Sequence, residues 1–159
     1  MTPDYKALLD ALAEKRVDFV VIGAIAMVLH GSSRVTRDLD ICYSRELSNL
    51  RALSAALKPF RPTLRGAPAT LPFVLDADTL RSGLNFTLTC DAGDIDLIGE
   101  VTGIGAFPVV KRLSESMTVY HRAIQVLSLD GLERAKRAAG RLKDLTDLAE
   151  IIELQKRKR

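Results

Sequence analysis

Two short stretches of the 159-residue chain repeat one pattern of acid, apolar, acid, apolar: Asp38-Leu39-Asp40-Ile41 and Asp94-Ile95-Asp96-Leu97. In an extended strand the side chains at i and i+2 share a face, about 6.6 Å apart along the chain, so Asp38 projects together with Asp40 and Asp94 with Asp96. Like charges this close repel. Burying them unpaired is costly, so the pattern is tolerable where cations stand between the acids or where the face is open to water. Arg34 and Arg37 lie just upstream and suit an edge strand with a solvated, ion-paired face. Taken alone, the pair at 38 and 40 favours that reading; its repetition at 94 and 96 shifts the balance. If the two strands are neighbours, three or four carboxylates converge. Hard divalent cations such as Mg²⁺ take such oxygen ligands together with substrate phosphates, and two ions about 3.5–4 Å apart clamp the attacking and leaving oxygens of a phosphoryl displacement.

A platform for phosphate lies upstream of the first acidic strand. Residues 17–22, VDFVVI, read as a β-branched and aromatic strand that stops at Gly23, and AIAMVLH then runs as a helix to Gly31. Free backbone N–H groups at the start of such a helix attract anions, and Gly23 followed by the small Ala24 lets a triphosphate approach the backbone. A Gly-Ala turn is weak by itself; its closeness to the acids gives it weight.

Around these residues the pattern supplies a scaffold. Thr2 is placed as a cap and Pro3 as the first residue of a helix carrying Tyr5, Leu8, Leu9 and Leu12 to about Lys15. DLDICY is a strand, and Ser44 a cap for a helix with Leu47, Leu50, Leu53 and Leu57 on one side until Pro59. Residues 59–75, with four prolines and Gly66, read as an irregular connection, and Asp76 to Arg81 as one helical turn. NFTLTC and DIDLIG flank the turn residues Asp91-Ala92-Gly93 as a β-hairpin. MTVY and AIQVLS are two further short strands. Asp130 with Glu133 predicts a capped helix start, Gly140 interrupts that helix, and a last helix carries Leu142, Leu145, Leu148, Ile151, Ile152 and Leu154.

The bulk numbers fit one α/β (or α+β) domain spanning residues 1–159 and closing on a basic C-terminal helix. With 47% hydrophobic and 27% charged residues the chain is an ordinary folded protein. No basic leader precedes an apolar run at the N-terminus, and no stretch approaches the roughly 20 apolar residues of a membrane span, so a cytoplasmic location is expected. Cys42 and Cys90 read as reduced, packed thiols, and His30 and His121 as a helix end and a turn, with no zinc-like spacing. The net charge of +3 is modest, but Arg134, Lys136, Arg137, Arg141 and Lys143 fall within one short span that suits phosphates. A solvated helix face is the alternative for Arg134, Arg137 and Arg141. Arg34 divides evenly between an ion pair with Asp38 or Asp40 and a substrate contact, and Thr36 between orienting the acidic strand through its hydroxyl and simple packing.

Read together, Ile22-Gly23-Ala24, the thirteen residues 25 to 37, and Asp38-Leu39-Asp40-Ile41 resemble the signature of the DNA polymerase β-like nucleotidyltransferase superfamily. The run His30, Gly31, Arg34, Thr36, Asp38, Asp40 is most similar to that of the minimal nucleotidyltransferases and AbiEii-type proteins of toxin–antitoxin systems. DAGDIDLI resembles their third-carboxylate strand, and KRAAGRLKDLTDLAEI their terminal basic helical segment; the proline-rich middle is unmatched. The resemblance implies a mixed twisted sheet flanked by helices and transfer of a nucleoside monophosphate from an NTP to an acceptor hydroxyl on RNA, tRNA or protein. It implies Mg²⁺, two ions, held by Asp38, Asp40 and Asp96, with Asp96 helping to activate the acceptor. Asp96 is preferred to Asp94 because Leu97 and Ile98 follow it directly, as in the family. Gly23 and Ala24 would face the triphosphate, Lys136 and Lys143 would pair with it, and a cognate toxin or antitoxin would be the partner. Ala24 departs from the usual Gly or Ser, which supports the alternative of a non-catalytic antitoxin or adaptor binding NTP or a protein. Adenylylation of a small molecule such as an aminoglycoside would call for a further helical domain, and a purely structural domain would leave the acids solvated.

Overall fold

The computed structural model describes residues 2–68 and 70–158. In chain order the helices are α1 (Tyr5–Glu14), α2 (Gly23–Leu29), α3 (Leu47–Leu57), α4 (Ala77–Ser82), α5 (Phe107–Arg112), α6 (Leu129–Ala139) and α7 (Leu142–Arg157). The strands are β1 (Phe19–Ile22), β2 (Asp38–Tyr43), β3 (Thr63–Leu64), β4 (Asn85–Cys90), β5 (Gly93–Ile98), β6 (Glu100–Val101), β7 (Gly105–Ala106), β8 (Ser114–Val119) and β9 (Arg122–Leu127). Seven of them form one mixed sheet in the order β3-β4-β5-β2-β1-β9-β8, and β6 and β7 make a separate small ribbon. The sheet is flanked by helices.

Strand β2 lies inside the sheet, antiparallel to β1 and parallel to β5, so it is no edge strand. Its alternation is that of a strand with one apolar and one polar face. Leu39 and Ile41 are fully buried, as are Ile95 and Leu97 of β5, and they join one continuous apolar cluster with Leu8, Leu12, Leu50 and Leu53 of the helices. The acids between them are only half-buried on the other face. The buried Asn49 ties the sheet to α3: its Oδ1 accepts from the Asp18 N–H at 2.7 Å, and its amide donates to the Ser44 carbonyl at 2.8 Å.

Several local features differ from the sequence-based expectation. Asp4, not Thr2, caps α1 by accepting from the Ala7 N–H at 3.0 Å, because the Asp4 N–H is itself tied to the Ala92 carbonyl at the β4–β5 turn. Glu46 stands at the start of α3 while Ser44 Oγ turns to the Glu46 N–H, and Ser128 rather than Asp130 caps α6. The connection at 59–75 is not wholly irregular: Thr63 and Leu64 pair with Thr89 and Leu88 as a short edge strand. Helix α5 and the β6–β7 ribbon are additions to the expected elements. His30 does close α2, with Nε2 2.8 Å from the Leu127 carbonyl, and His121 sits in the β8–β9 turn. Cys42 and Cys90 are free and buried.

Candidate active site

The parallel register of β2 and β5 places Asp38 opposite Asp94 and Asp40 opposite Asp96. Each pair of acids on a strand shares a face, so four carboxylates stand as a square on one side of two neighbouring strands, whose axes lie about 4.8 Å apart. Asp40 is hydrogen-bonded to Asp96, whereas Asp94 lies at the Asp38 end. Burial first, then the charge and hydrogen bond of Asp96, push the Asp40 carboxyl up to about 7. The Asp40 carboxyl thereby keeps its proton up to near neutrality and bonds to Asp96 instead of repelling it.

Gly23 explains how the acids and the upstream turn belong together. It sits at the start of α2 with φ of +67°, the left-handed region in which a Cβ is unfavourable, and a Cβ placed there would overlap Asp40 Oδ2. The glycine's missing side chain is therefore the space occupied by the Asp40 carboxylate. Ala24 follows in the first turn of α2, and no side chain caps that helix.

A cation that the sequence reading missed stands among the acids. Arg65, just after β3, brings its guanidinium 2.7 Å from Asp96, 3.2 Å from Asp94 and 4.0 Å from Asp38, and donates to the Leu88 carbonyl at 2.6 Å. Its backbone N–H is fixed to the Thr87 carbonyl at 3.0 Å. The signal for it is indirect: four clustered acids require a counter-charge, and Arg65 is the basic residue at the end of a segment that alternation does not place.

The basic residues upstream and downstream serve differently. Arg34 does not pair with Asp38 or Asp40; its guanidinium reaches Asp147 and Glu150 on α7, both at 2.8 Å, because the α2–β2 connection runs beneath that helix. Thr36 Oγ1 donates to the Asp38 carbonyl at 3.4 Å, a contact to the backbone of the acidic strand. Arg37 is exposed. Lys136 ion-pairs with Asp147 at 2.9 Å and with the fully buried Asp144 at 3.3 Å, and its charge reaches Asp40, lowering that carboxyl against the other influences. Asp144 also accepts from the Arg141 guanidinium at 2.8 Å, which holds its carboxyl far below the usual carboxylate range. Lys136 and Arg141 line, with Gly23, Ile22 and Thr102, a pocket of about 190 Å³. Lys143 is exposed on the first turn of α7, outside that lining.

The donor set offered by Asp38, Asp40 and Asp96 is carboxylate oxygen throughout, the class that Mg²⁺ prefers. The cost of ionising the buried Asp40 beside Asp96 is what a dication would offset, so the residues fit such an ion in chemistry and charge. As packed, with the Arg65 guanidinium among the acids, no group of three or more His, Cys, Asp or Glu among the described residues is arranged to hold a metal.

No protein-family model matches the chain, and no curated protein sequence matches it either. Solved structures do. A candidate nucleotidyltransferase from Thermotoga maritima superposes with a TM-score of 0.59 at 18% identity, over 94% of this chain and 90% of that one. The lincosamide antibiotic adenylyltransferase LnuA, in its lincomycin-bound form, gives 0.61 at 16% identity, over 97% and 99%. A nucleotidyltransferase-like protein from Paracoccidioides brasiliensis gives 0.54 at 15%, over 94% and 73%. The likeness is one of fold: the mixed sheet with its flanking helices is the nucleotidyltransferase fold.

Proposed function

We propose that the chain is a divalent-metal-dependent nucleotidyltransferase that moves a nucleoside monophosphate from an NTP to an acceptor hydroxyl with loss of pyrophosphate. The observation that carries this reading is the register of β2 on β5, which sets Asp40 against Asp96 beside the side-chain-free Gly23. Asp38, Asp40 and Asp96 are the residues that would hold Mg²⁺, which when bound neutralises phosphate charge and polarises the reacting oxygens. Asp96 faces Asp40 and is the group assigned to draw the proton from the acceptor hydroxyl. Gly23 and Ala24 form the floor on which the triphosphate lies, with Lys136 and Arg141 on the wall of the adjoining pocket. Lys143, exposed and outside that lining, is left as a triphosphate partner on the family resemblance alone. Arg34 and Thr36 act behind the site: one pins the chain entering β2 to α7, the other touches the Asp38 backbone. In such reactions positioning and charge neutralisation supply most of the rate.

The family resemblance favours an RNA, tRNA or protein hydroxyl as acceptor, within a cytoplasmic toxin–antitoxin pair. A small-molecule acceptor is the second reading, and one observation favours it. The lincomycin-bound adenylyltransferase is matched over 99% of its length, so a chain of this size can carry that named activity without a further helical domain. The test is incubation with each labelled NTP and Mg²⁺, offering total RNA, protein extract and a lincosamide separately. Asp40→Asn and Asp96→Asn should lose at least about a hundredfold of labelling while keeping the wild-type circular dichroism. Equal labelling by wild type and variants refutes the assignment, and Mg²⁺-dependent NTP binding without pyrophosphate release identifies a non-catalytic adaptor instead.

A further inference from the structure

Arg65 is more than a neutralising neighbour, because of which oxygens it takes. Its guanidinium engages Asp96 at 2.7 Å and approaches Asp38 at 4.0 Å, two of the three acids assigned to the divalent ion, and it engages Asp94, which is not assigned. The planar fork suits this place because it spans several carboxylates at once, which an ammonium cannot do. The fit is nevertheless incomplete. Arg65 Nε is buried without a hydrogen bond of acceptable geometry, although Asp94 stands 3.2 Å away. The residue also occupies a place from which its side chain can leave. Its backbone N–H is held by the Thr87 carbonyl on β4, while the side chain keeps 27% of its surface exposed, so the guanidinium can rotate toward solvent without β3 unpairing.

Resting on the nucleotidyltransferase reading above, we propose that Arg65 is a resident cation that occludes the carboxylate site in the ion-free protein and must swing out before a divalent ion engages Asp38, Asp40 and Asp96. The site is thereby kept electrically satisfied when idle, and ion binding becomes coupled to movement of one side chain at the sheet edge. Once withdrawn, the guanidinium remains tethered within a side chain's length of the acids.

Manganese binding followed by electron paramagnetic resonance, with no nucleotide present, tests this without relying on turnover. Arg65→Met removes both fork and charge, and Arg65→Lys keeps the charge but loses the fork. If the fork occludes the site, Mn²⁺ affinity rises about tenfold in Arg65→Met, the scale of one charge-assisted contact, and several-fold in Arg65→Lys. Unchanged or weaker binding in both variants overturns the proposal. Tighter binding in Arg65→Met with Arg65→Lys equal to wild type assigns the effect to net charge, and also overturns it. Thermal melts confirm that each variant is folded; should Arg65→Met not fold, Arg65→Lys decides alone. Wild type that binds Mn²⁺ as tightly as both variants leaves the nucleotidyltransferase reading intact, whereas absence of Mn²⁺ binding in all three proteins defeats both.

Discussion

Replacing Gly23 by Ala tests the link between the phosphate-facing turn and the acidic strand. Two costs are expected. The backbone at φ +67° is one that a residue with a Cβ adopts at a penalty of about 1 kcal/mol. The new methyl group would also overlap Asp40 Oδ2, and forced overpacking of this kind costs about 1–3 kcal/mol. The sum is about 2–4 kcal/mol, and at about 2–4 °C per kcal/mol for a domain of this size the melting temperature should fall by about 4–16 °C. The two costs separate in a double-mutant cycle. In Gly23→Ala/Asp40→Ala the carboxylate is gone; Asp40 Cβ, 3.1 Å from the added methyl, needs only a small shift, so the overlap cost disappears and the backbone cost stays. Urea unfolding of the four proteins should therefore give a coupling of about 1–3 kcal/mol. Additivity to within about 0.5 kcal/mol would show that the glycine serves only its own backbone conformation, and the claim that it makes room for Asp40 would be wrong.

Two further outcomes follow from the charges. Asp40 is raised to about 7 by burial and by Asp96, above the roughly 3.9 of a free aspartate. The folded chain thus holds a proton that the unfolded chain has released. The contribution of this group is greatest below the unfolded value and declines between about pH 4 and about pH 7, by at most about 1.4 kcal/mol per pH unit, and Asp40→Asn should flatten that part of a urea-derived stability profile. Asp144 behaves oppositely: held low by Arg141 and Lys136, it adds stability that is present above the unfolded pKa and lost as pH falls through its folded value. Thermal melts should show Asp144→Asn less stable than wild type at neutral pH, by more than the exposed Asp78→Asn, with the gap closing in acid.

What was legible in the sequence was whatever a short period could carry. The alternation in 38–43 and 94–98 fixed both acidic strands and their apolar backs, because every second side chain had to be buried, and the hairpin around Asp91-Ala92-Gly93 followed from turn chemistry. The pairing of β2 with β5 was conditional, since parallel neighbours distant in sequence leave no local mark. Arg34 shows the same limit from the other side. Asp38 and Asp40 are its nearest acids along the chain, but its partners lie 113 and 116 residues away on α7, where tertiary packing alone brings them. Arg65 was hidden because β3 has two residues, too few to show alternation, within a stretch dominated by proline. Lys136 and Asp144 stand on consecutive helices rich in basic residues, while their burial against each other depends on how α6 and α7 fold back at Gly140.

The edge strand that would let these acids stand in open water is not what the fold supplies. Strand β2 is interior, the carboxylates are half-buried, and the face is supplied with its own counter-ion in Arg65. Two unit charges about 5 Å apart repel by about 3 kcal/mol at an effective dielectric of about 20, so Asp40, desolvated and set against Asp96, bears a cost that a solvated carboxylate would not incur. The fold relieves it in two reversible ways: a guanidinium at the Asp94 and Asp96 side, and a proton held near neutrality at Asp40. Neither device is built into the backbone, in contrast to the steric lock between Gly23 and Asp40. The shape of the site is therefore set by packing while its charge is left adjustable, a combination that suits the dication and polyphosphate of the proposed reaction.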